Sequence, residues 1–220
     1  MKAERTKIII IGAVGTALNI IEQIVDARNN YGLTYDPVGI LIDSFKKGSL
    51  IAGIPVVGSL REVSAFIEDT ELNFLFALYK PEKLKERYDL LKSLKIPISR
   101  FVNFFHPLSY ISASLVSGTG NVVLSNSTIQ SNVKIGYFNI INSNVTLEHD
   151  SLLGDGNFLA SGVTIGSRVT IGNHCFFGLN SSVRENVILG SNVYTGMQSA
   201  VLKNFDNEII AGIPAKPLSK

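Results

Sequence analysis

The chain has 220 residues, 45% of them hydrophobic, and a formal net charge of +2. This length allows one or two domains with an ample core, and so balanced a charge argues against a dedicated nucleic-acid binder. No apolar stretch reaches the roughly 18 residues of a membrane-spanning helix, and the run Ile8–Ile11 is too short for a signal-peptide core. The single cysteine, Cys175, excludes an internal disulfide framework. These features favour a cytoplasmic protein with no nucleic-acid or membrane partner.

The N-terminal third alternates strand and helix patterns. Ser59-Leu60-Arg61-Glu62 has the pattern of a capping box, so a helix is expected to begin there. The alternation predicts an α/β, Rossmann-like domain with a small parallel sheet. Apolar runs predict strands at 7–11, 38–42, 74–78 and 98–102 and a short extended piece at 55–57, whereas helical periodicity predicts helices at 17–28 and 81–94.

Two features of this domain fall where α/β sheets bind ligands. Gly12 and Gly15 form the turn between the first strand and the first helix, where backbone amides attract phosphate. Asp43 ends the second strand, where an acid can meet a ribose or a base. Gly12-x-x-Gly15 lacks the third glycine of the dinucleotide fingerprint, which suits a mononucleotide better. A tight strand-to-helix turn is the structural alternative for the glycines, and a helix cap or solvated turn is the alternative for Asp43.

The C-terminal half carries a six-residue repeat, which is the signature of a solenoid. Three six-residue steps would close a triangular coil, and stacked coils would bury one continuous apolar column. The position after each apolar residue is often glycine, which suits a tight corner and close passage of neighbouring coils. Four residues after each apolar residue the side chain is usually small or β-branched, so Cys175 is predicted to be buried, and Asn139 and Asn157 break this rule. The repeating apolar residues are Val123, Ile129, Ile135, Ile141, Leu147, Leu153, Leu159, Ile165, Ile171, Phe177, Val183 and Leu189.

This repeat, with the tail Gly212-Ile213-Pro214-Ala215-Lys216, resembles the hexapeptide-repeat acyltransferases. Their coils form a left-handed parallel β-helix, and they are commonly homotrimers. A Rossmann-like domain in front of such a β-helix resembles the sugar acyltransferases of bacterial glycan and sialic-acid pathways. The resemblance implies two domains: 1–104, which would bind the nucleotide of a UDP-linked amino sugar, and 105–220, which would bind acetyl-CoA. It also makes Gly12, Gly15 and Asp43 nucleotide contacts, although Thr16 departs from the glycine-richer turn of many relatives.

The segment that contains His149 and Asp150 resembles the catalytic segment of that family, in which a histidine followed by an acid acts as the base. An amine must lose a proton as it attacks a thioester, and histidine titrates near neutral pH. Asp150 could orient the ring, provided that the corner redirects it, because adjacent strand residues point to opposite faces.

The resemblance also implies contacts for the acyl donor. It places a backbone amide for the developing oxyanion at Ser167, and Phe158 at the position of a second histidine thought to contact the acetyl group. CoA would lie between subunits along the β-helix. The residues implied near CoA are Gly166, Ser167, Gly178, Gly196 and Lys216.

The two remaining histidines have structural interpretations. Phe105-His106-Pro107 resembles the linker of the family, and His174 is interpreted as a solvated corner residue. The histidines are widely spaced and occupy different repeat positions, which argues against a zinc hydratase such as a γ-class carbonic anhydrase, so no metal is expected.

The favoured function is an acetyl-CoA-dependent N-acetyltransferase that acts on a nucleotide-linked amino sugar. One alternative is an O-acyltransferase that uses the same base on a hydroxyl of sialic acid or another glycan sugar. The other is a non-catalytic nucleotide-sugar-binding or scaffold protein, which Phe158 favours and the His149-Asp150 pair opposes.

Overall fold

The computed structural model describes residues 5–218, which form two compact units. The first unit comprises the chain up to Lys80 together with Glu86–Asn103, and the second comprises Pro81–Lys85 together with the chain from Phe104 onward. Residues 1–4, part of the predicted first domain, and residues 219–220, the end of the predicted second, lie outside the described range. None of the helices in this range has the length and apolar character that crossing a bilayer requires.

The first unit is built on a five-stranded sheet. Its strand order is β3-β4-β2-β1-β5, and all neighbours are parallel except the β3–β4 pair. Residues Ile8–Ile11 are buried, as expected for a parallel strand covered on both faces. The elements are β1 Thr6–Ile11, α1 Thr16–Asn30, β2 Tyr35–Leu41, β3 Leu50–Ile51, β4 Ile54–Gly58, α2 Val63–Glu68, β5 Asn73–Phe76 and α3 Leu84–Ser93, with 3-10 turns at Leu60–Glu62, Pro81–Lys83 and Ile98–Arg100.

Most of the predicted elements correspond to observed ones, but the strand predicted at 98–102 is wrong. Ile98–Arg100 is a 3-10 turn, and Phe101 makes only a single bridge to Phe74. The Arg100 amide donates to the Pro97 carbonyl at 2.9 Å, and Arg100 Nε donates to the Leu72 carbonyl at 2.7 Å. The first of these bonds, with the Phe101 amide donating to the Ile98 carbonyl at 3.2 Å, closes a turn where the apolar pattern alone indicated a strand, and the bond to Leu72 ties that turn to a distant part of the unit.

The second unit is a parallel β-helix whose coils are built from two-residue strands on three faces, and at its end the longer strands β23 and β24 pair antiparallel. The arrangement is consistent with a left-handed β-helix of the acyltransferase type. The long face contains β6 Phe104–Phe105, β9 Val122–Val123, β12 Ile140–Ile141, β15 Phe158–Leu159, β18 Phe176–Phe177, β21 Tyr194–Thr195, β23 Ile209–Gly212 and β24 Ala215–Pro217. The middle face contains β7 Tyr110–Ile111, β10 Thr128–Ile129, β13 Thr146–Leu147, β16 Thr164–Ile165, β19 Ser182–Val183 and β22 Ala200–Val201. The short face contains β8 Val116–Ser117, β11 Lys134–Ile135, β14 Leu152–Leu153, β17 Thr170–Ile171 and β20 Ile188–Leu189.

The interior of the β-helix confirms the six-residue series. Every member from Val123 to Leu189 is at most 4% exposed and belongs to one continuous core. The glycines that follow these residues are needed for close approach and not for unusual backbone angles. A Cβ at Gly166 would lie 2.7 Å from the Glu185 nitrogen, and one at Gly178 would lie 2.6 Å from the Met197 nitrogen. Left-handed φ angles occur instead two residues further on, as at Arg168 (58°) and Asn180 (55°).

The two exceptions in the small-residue column belong to a buried asparagine ladder. Asn139 Nδ2 donates to Asn121 Oδ1 at 3.0 Å, and Asn157 Nδ2 donates to Asn139 Oδ1 at 3.0 Å. Each side-chain oxygen also accepts the backbone amide one coil on, and the ladder ends where Asn157 Oδ1 accepts the Cys175 amide at 2.7 Å. These three asparagines are fully buried because their polar groups are satisfied within the ladder.

Cys175 is fully buried, as predicted, and its thiol is expected to be unreactive in the folded protein. Burial raises the pKa of the thiol to about 12, and Sγ donates to the Gly190 carbonyl at 3.1 Å. Because the thiolate is the nucleophile, iodoacetamide near neutral pH should leave the native chain unlabelled and label it once after denaturation, as measured by intact mass. A Cys175→Ser variant should stay unlabelled in both states, and rapid labelling of the native chain would contradict the prediction.

Candidate active site

The corner that links the middle face to the short face carries the candidate catalytic residues. His149 and Asp150 lie there between β13 and β14, and Ser167 lies one coil on, at the repeat position of His149. The Arg168 amide donates to the His149 carbonyl at 3.0 Å, which fixes the register of the two coils. Strands of neighbouring coils are about 4.8 Å apart, so the fold brings His149 and Ser167 together.

His149 and Asp150 form a direct contact at this corner. His149 Nδ1 lies 2.8 Å from Asp150 Oδ2, and the two side chains are 43% and 45% exposed. Asp150 has a φ of 61°, a left-handed conformation that aspartate tolerates better than most residues. This conformation turns the carboxylate toward the ring of the preceding residue, which an extended strand would not do. With Nδ1 held by the carboxylate, the ring has Nε2 available for proton transfer.

Two neighbours of Asp150 were not identified from the sequence. Asn132, one coil earlier, donates from Nδ2 to Asp150 Oδ1 at 3.0 Å. Arg168, one coil later, acts on the carboxylate through its charge. The pKa of Asp150 is lowered, first by the His149 hydrogen bond, then by the Asn132 hydrogen bond, and to a smaller extent by the charges of His149 and Arg168. The signal that could have identified both residues is their spacing of one coil from Asp150.

The Ser167 amide lies at the same corner as His149. Within residues 5–218 it donates no hydrogen bond, whereas the preceding Gly166 amide donates to the Val183 carbonyl at 2.9 Å. The Ser167 carbonyl accepts the Asn186 amide at 3.0 Å, so this peptide segment is anchored to the next coil. An anchored, unoccupied N–H is the kind of donor that stabilises an oxyanion.

Phe158 is not brought together with His149 in one chain. It lies on the long face, is 5% exposed and stacks on Phe176 with the ring centroids 5.7 Å apart. Phe176 in turn lies 6.1 Å from Tyr194, so the three rings form a column across neighbouring strands. In a single chain, therefore, Phe158 is part of a packed aromatic column.

The residues expected near CoA lie at two corners and on one face of the β-helix. Gly166 and Ser167 lie at the middle–short corner with His149, whereas Gly178 and Gly196 follow β18 and β21 at the corner between the long and middle faces. Lys216 is exposed in β24 on the long face. One chain alone does not gather all five positions around one ligand.

A groove of about 530 Å³ lies beside the His149–Asp150 corner. Its walls come from the corner itself and from the outer surface of the short face. A larger hollow of about 620 Å³ lies near Tyr194 and Glu208, and none of the candidate residues lines it. Of the candidate residues, Asp150 lines the smaller groove. The smaller groove is lined by Ser114, Val116, Asn132, Lys134, Asp150, Ser151, Leu152 and Thr170.

The other histidines lie apart from this corner. His106 is buried, and its Nδ1 accepts the Leu108 amide at 3.2 Å, in agreement with a structural role. His174 is half-buried at the corner between the short and long faces, where its φ is 58°. No group of three or more His, Cys, Asp or Glu side chains in the described chain could hold a metal ion.

The glycine turn of the first unit lies at the carboxyl end of β1. Gly12 and Gly15 have φ angles of 117° and 59°, which other residues rarely adopt. A Cβ at Gly12 would also lie 3.0 Å from the Ala77 carbonyl carbon, whereas the space around Gly15 is open. Gly15 immediately precedes α1, and no side chain in the described range caps that helix. The turn is therefore both tight, as the structural alternative requires, and accessible at a helix N-terminus.

Asp43 has a definite structural contact in this unit. It follows β2, next to the carboxyl end of β1, and its Oδ1 accepts the Leu60 amide at 2.9 Å. Leu60 is the first residue of the 3-10 turn, and Ser59 and Glu62 form the capping box at the N-terminus of that turn. Within the box, the Ser59 amide donates to Glu62 Oε2 at 2.7 Å. Asp43 thus serves as a cap through one oxygen, and Oδ2 is the atom that could meet a nucleotide.

No protein-family model and no curated protein matches the chain. Among solved structures, it is similar to the acetyltransferase domain of PglB from Neisseria gonorrhoeae FA1090 in complex with acetyl coenzyme A, with a TM-score of 0.82 and 24% identity over 97% of this chain and 100% of that one. It is similar to PerB from Caulobacter crescentus in complex with CoA and GDP-perosamine, with a TM-score of 0.82 and 25% identity over 97% of each chain. WeeI from Acinetobacter baumannii AYE aligns with a TM-score of 0.79 and 20% identity over 97% of this chain and 100% of that one. The chain therefore shares, over nearly its whole length, the fold of hexapeptide-repeat sugar acetyltransferases.

Proposed function

We propose that this protein is an acetyl-CoA-dependent N-acetyltransferase that acts on a nucleotide-linked amino sugar in bacterial surface-glycan biosynthesis. The observation that carries the proposal is the 2.8 Å contact between His149 Nδ1 and Asp150 Oδ2 beside the unoccupied Ser167 amide. Similar structures bind acetyl-CoA, or CoA together with GDP-perosamine, which supports the same two classes of substrate here.

The reaction proposed is direct transfer. The amino nitrogen of the sugar attacks the thioester carbonyl, and His149 Nε2 takes the proton that the nitrogen loses. Asp150 stabilises the imidazolium and keeps the ring oriented, while the Ser167 amide donates to the oxyanion of the tetrahedral intermediate. Collapse of the intermediate breaks the carbon–sulfur bond, and the imidazolium returns its proton to the CoA thiolate. The products are the N-acetylated sugar nucleotide and CoA.

The separation of the CoA residues over two corners and the long face supports a site shared by copies of the chain. We propose a homotrimer in which one copy supplies Gly166 and Ser167, and a neighbouring copy supplies Gly178, Gly196 and Lys216. Phe158 would border the acetyl group by packing alone, because its ring donates no conventional hydrogen bond. A cytoplasmic location fits the free thiol of Cys175, since disulfides are rare there.

The first unit, within 1–104, is proposed as a Rossmann-like domain that binds the nucleotide, and 105–220 as the acyltransferase domain. The open turn at Gly15 would hold phosphate at the N-terminus of α1. Asp43 Oδ2 would accept from the ribose or the base, while Oδ1 keeps the Leu60 amide. The missing third glycine suits one nucleotide better than a dinucleotide.

The test offers acetyl-CoA to the full chain with a panel of UDP-, dTDP- and GDP-linked amino sugars, followed by mass spectrometry. We expect one panel member to gain the mass of a single acetyl group with release of one CoA. Treatment of the product with hydroxylamine separates the two enzyme functions, because an amide survives and an ester is cleaved. A cleaved product would favour O-acylation, and no product with any acceptor would favour the binding-protein alternative.

A further inference from the structure

The left-handed residues of the middle–short corner form a column, one from each coil. Asn132, Asp150, Arg168 and Asn186 have φ angles of 59°, 61°, 58° and 63° and are spaced by one coil. Asparagine is common at such positions because it tolerates this conformation, so its presence alone indicates nothing about function. The contact that the Asn132 side chain makes is what sets it apart.

Asn132 bonds to a side chain of the proposed site, whereas the buried asparagines bond along their own ladder. Its Nδ2 lies 3.0 Å from Asp150 Oδ1, while Asp150 Oδ2 lies 2.8 Å from His149 Nδ1. An ionised carboxylate only accepts hydrogen bonds, so the amide nitrogen of Asn132 must be the atom that faces it. The two oxygens of Asp150 are thus engaged by different partners, and this fixes the rotation of the carboxylate as well as its position.

We propose that Asn132 is a positioning residue of the catalytic pair, which holds Asp150 Oδ1 so that Oδ2 remains on His149 Nδ1. The proton of the neutral ring then stays on Nδ1, and Nε2 keeps the lone pair that accepts the proton of the acceptor amine. The role rests on the proposed acetyl transfer, and it concerns the orientation of the pair, since Asn132 itself contacts no reacting atom.

The charges around Asp150 agree with this role. The Asn132 hydrogen bond is the second-largest cause of the lowered pKa of Asp150, after the hydrogen bond from His149. Arg168 favours the carboxylate through its charge, while its Nε donates to Asn186 Oδ1 at 2.8 Å. The Asp150 carboxylate therefore persists to a lower pH than that of an ordinary aspartate. Without Asn132, the pKa of Asp150 should rise, and the carboxylate should be lost at a higher pH.

Three variants of the full chain separate positioning from a purely structural role. Asn132→Gly keeps the left-handed backbone accessible and removes the amide, and Asn132→Asp keeps the shape but replaces the donor with an acceptor. Asn192→Gly is the matched control, because Asn192 has a φ of 57° at the corner between the short and long faces.

The first readout needs no substrate: the ¹⁵N chemical shifts of the neutral His149 ring, which report its tautomer. We expect one tautomer, with the proton on Nδ1, in the wild type and Asn192→Gly, and a mixture in Asn132→Gly. The second readout is acetyl transfer, for which we expect kcat to fall about tenfold in Asn132→Gly with KM nearly unchanged, and further in Asn132→Asp. If no acceptor is turned over, the proposed function fails, while the tautomer measurement still decides the role of Asn132. An unchanged tautomer in Asn132→Gly, or an equal disturbance in Asn192→Gly, would overturn the inference.

Discussion

Replacing His149 with alanine is expected to reduce kcat for acetyl transfer by a factor on the order of 10²–10⁴, the usual contribution of a general base. The side chain is 43% exposed, and its ring contact is with Asp150, so the fold should be unaffected. The amine would then have to lose its proton to water. The Ser167 amide and the residues proposed to bind acetyl-CoA and the sugar nucleotide would stay in place. KM for acetyl-CoA should therefore change little.

The measurement is steady-state CoA release with the acceptor found in the panel, together with thermal unfolding of each variant. His174→Asn is the matched control, since His174 occupies a left-handed corner elsewhere in the β-helix and asparagine suits that conformation. It should retain wild-type turnover. Full turnover by His149→Ala, with an unchanged melting temperature, would remove His149 from the mechanism.

The repeat could be predicted in detail because its cause is periodic. An inward residue every sixth position must be apolar if the coils are to close around one core, and all twelve residues of the series are buried. The strand predicted at 98–102 fails because the segment forms a 3-10 turn, which the Arg100 side chain ties to the Leu72 carbonyl 28 residues earlier, and apolar periodicity does not encode that contact. Likewise, Asn139 and Asn157 break the pattern of small residues along the sequence. In the folded protein their side-chain amides lie in neighbouring coils and satisfy each other's hydrogen bonds.

Only part of the candidate site could be predicted from the repeat. The 18-residue period places Ser167 one coil above His149, so their proximity follows from the repeat. The contact between His149 and Asp150 does not, because it depends on the left-handed φ of Asp150. Asp43 shows a further limit of prediction from sequence, which left a helix cap and a nucleotide contact equally open. In the structure, the hydrogen bond from the Leu60 amide engages only one of the two Asp43 carboxylate oxygens.

Replacing Ser167 with proline is expected to cause the second large loss of activity. The substitution removes the Ser167 N–H and leaves the hydrogen bonds to the neighbouring coils in place. No acceptor in the described chain takes this amide, and the Ser167 carbonyl, which holds the Asn186 amide, is retained. A proline also restricts the residue before it to extended conformations, which glycine at position 166 can adopt. Loss of one oxyanion donor typically costs on the order of 10²–10³ in kcat, and we expect a decrease of that size.

Ser167→Ala separates the amide from the hydroxyl, because it keeps the N–H and removes Oγ. It should lose little activity, whereas Ser167→Pro should lose most of it while still binding CoA, as measured by calorimetry with CoA alone. Equal losses in the two variants would assign the effect to the hydroxyl. Undiminished turnover by a folded Ser167→Pro chain would show that the oxyanion is stabilised elsewhere, and the pairing of His149 with Ser167 along one corner would then have no catalytic meaning.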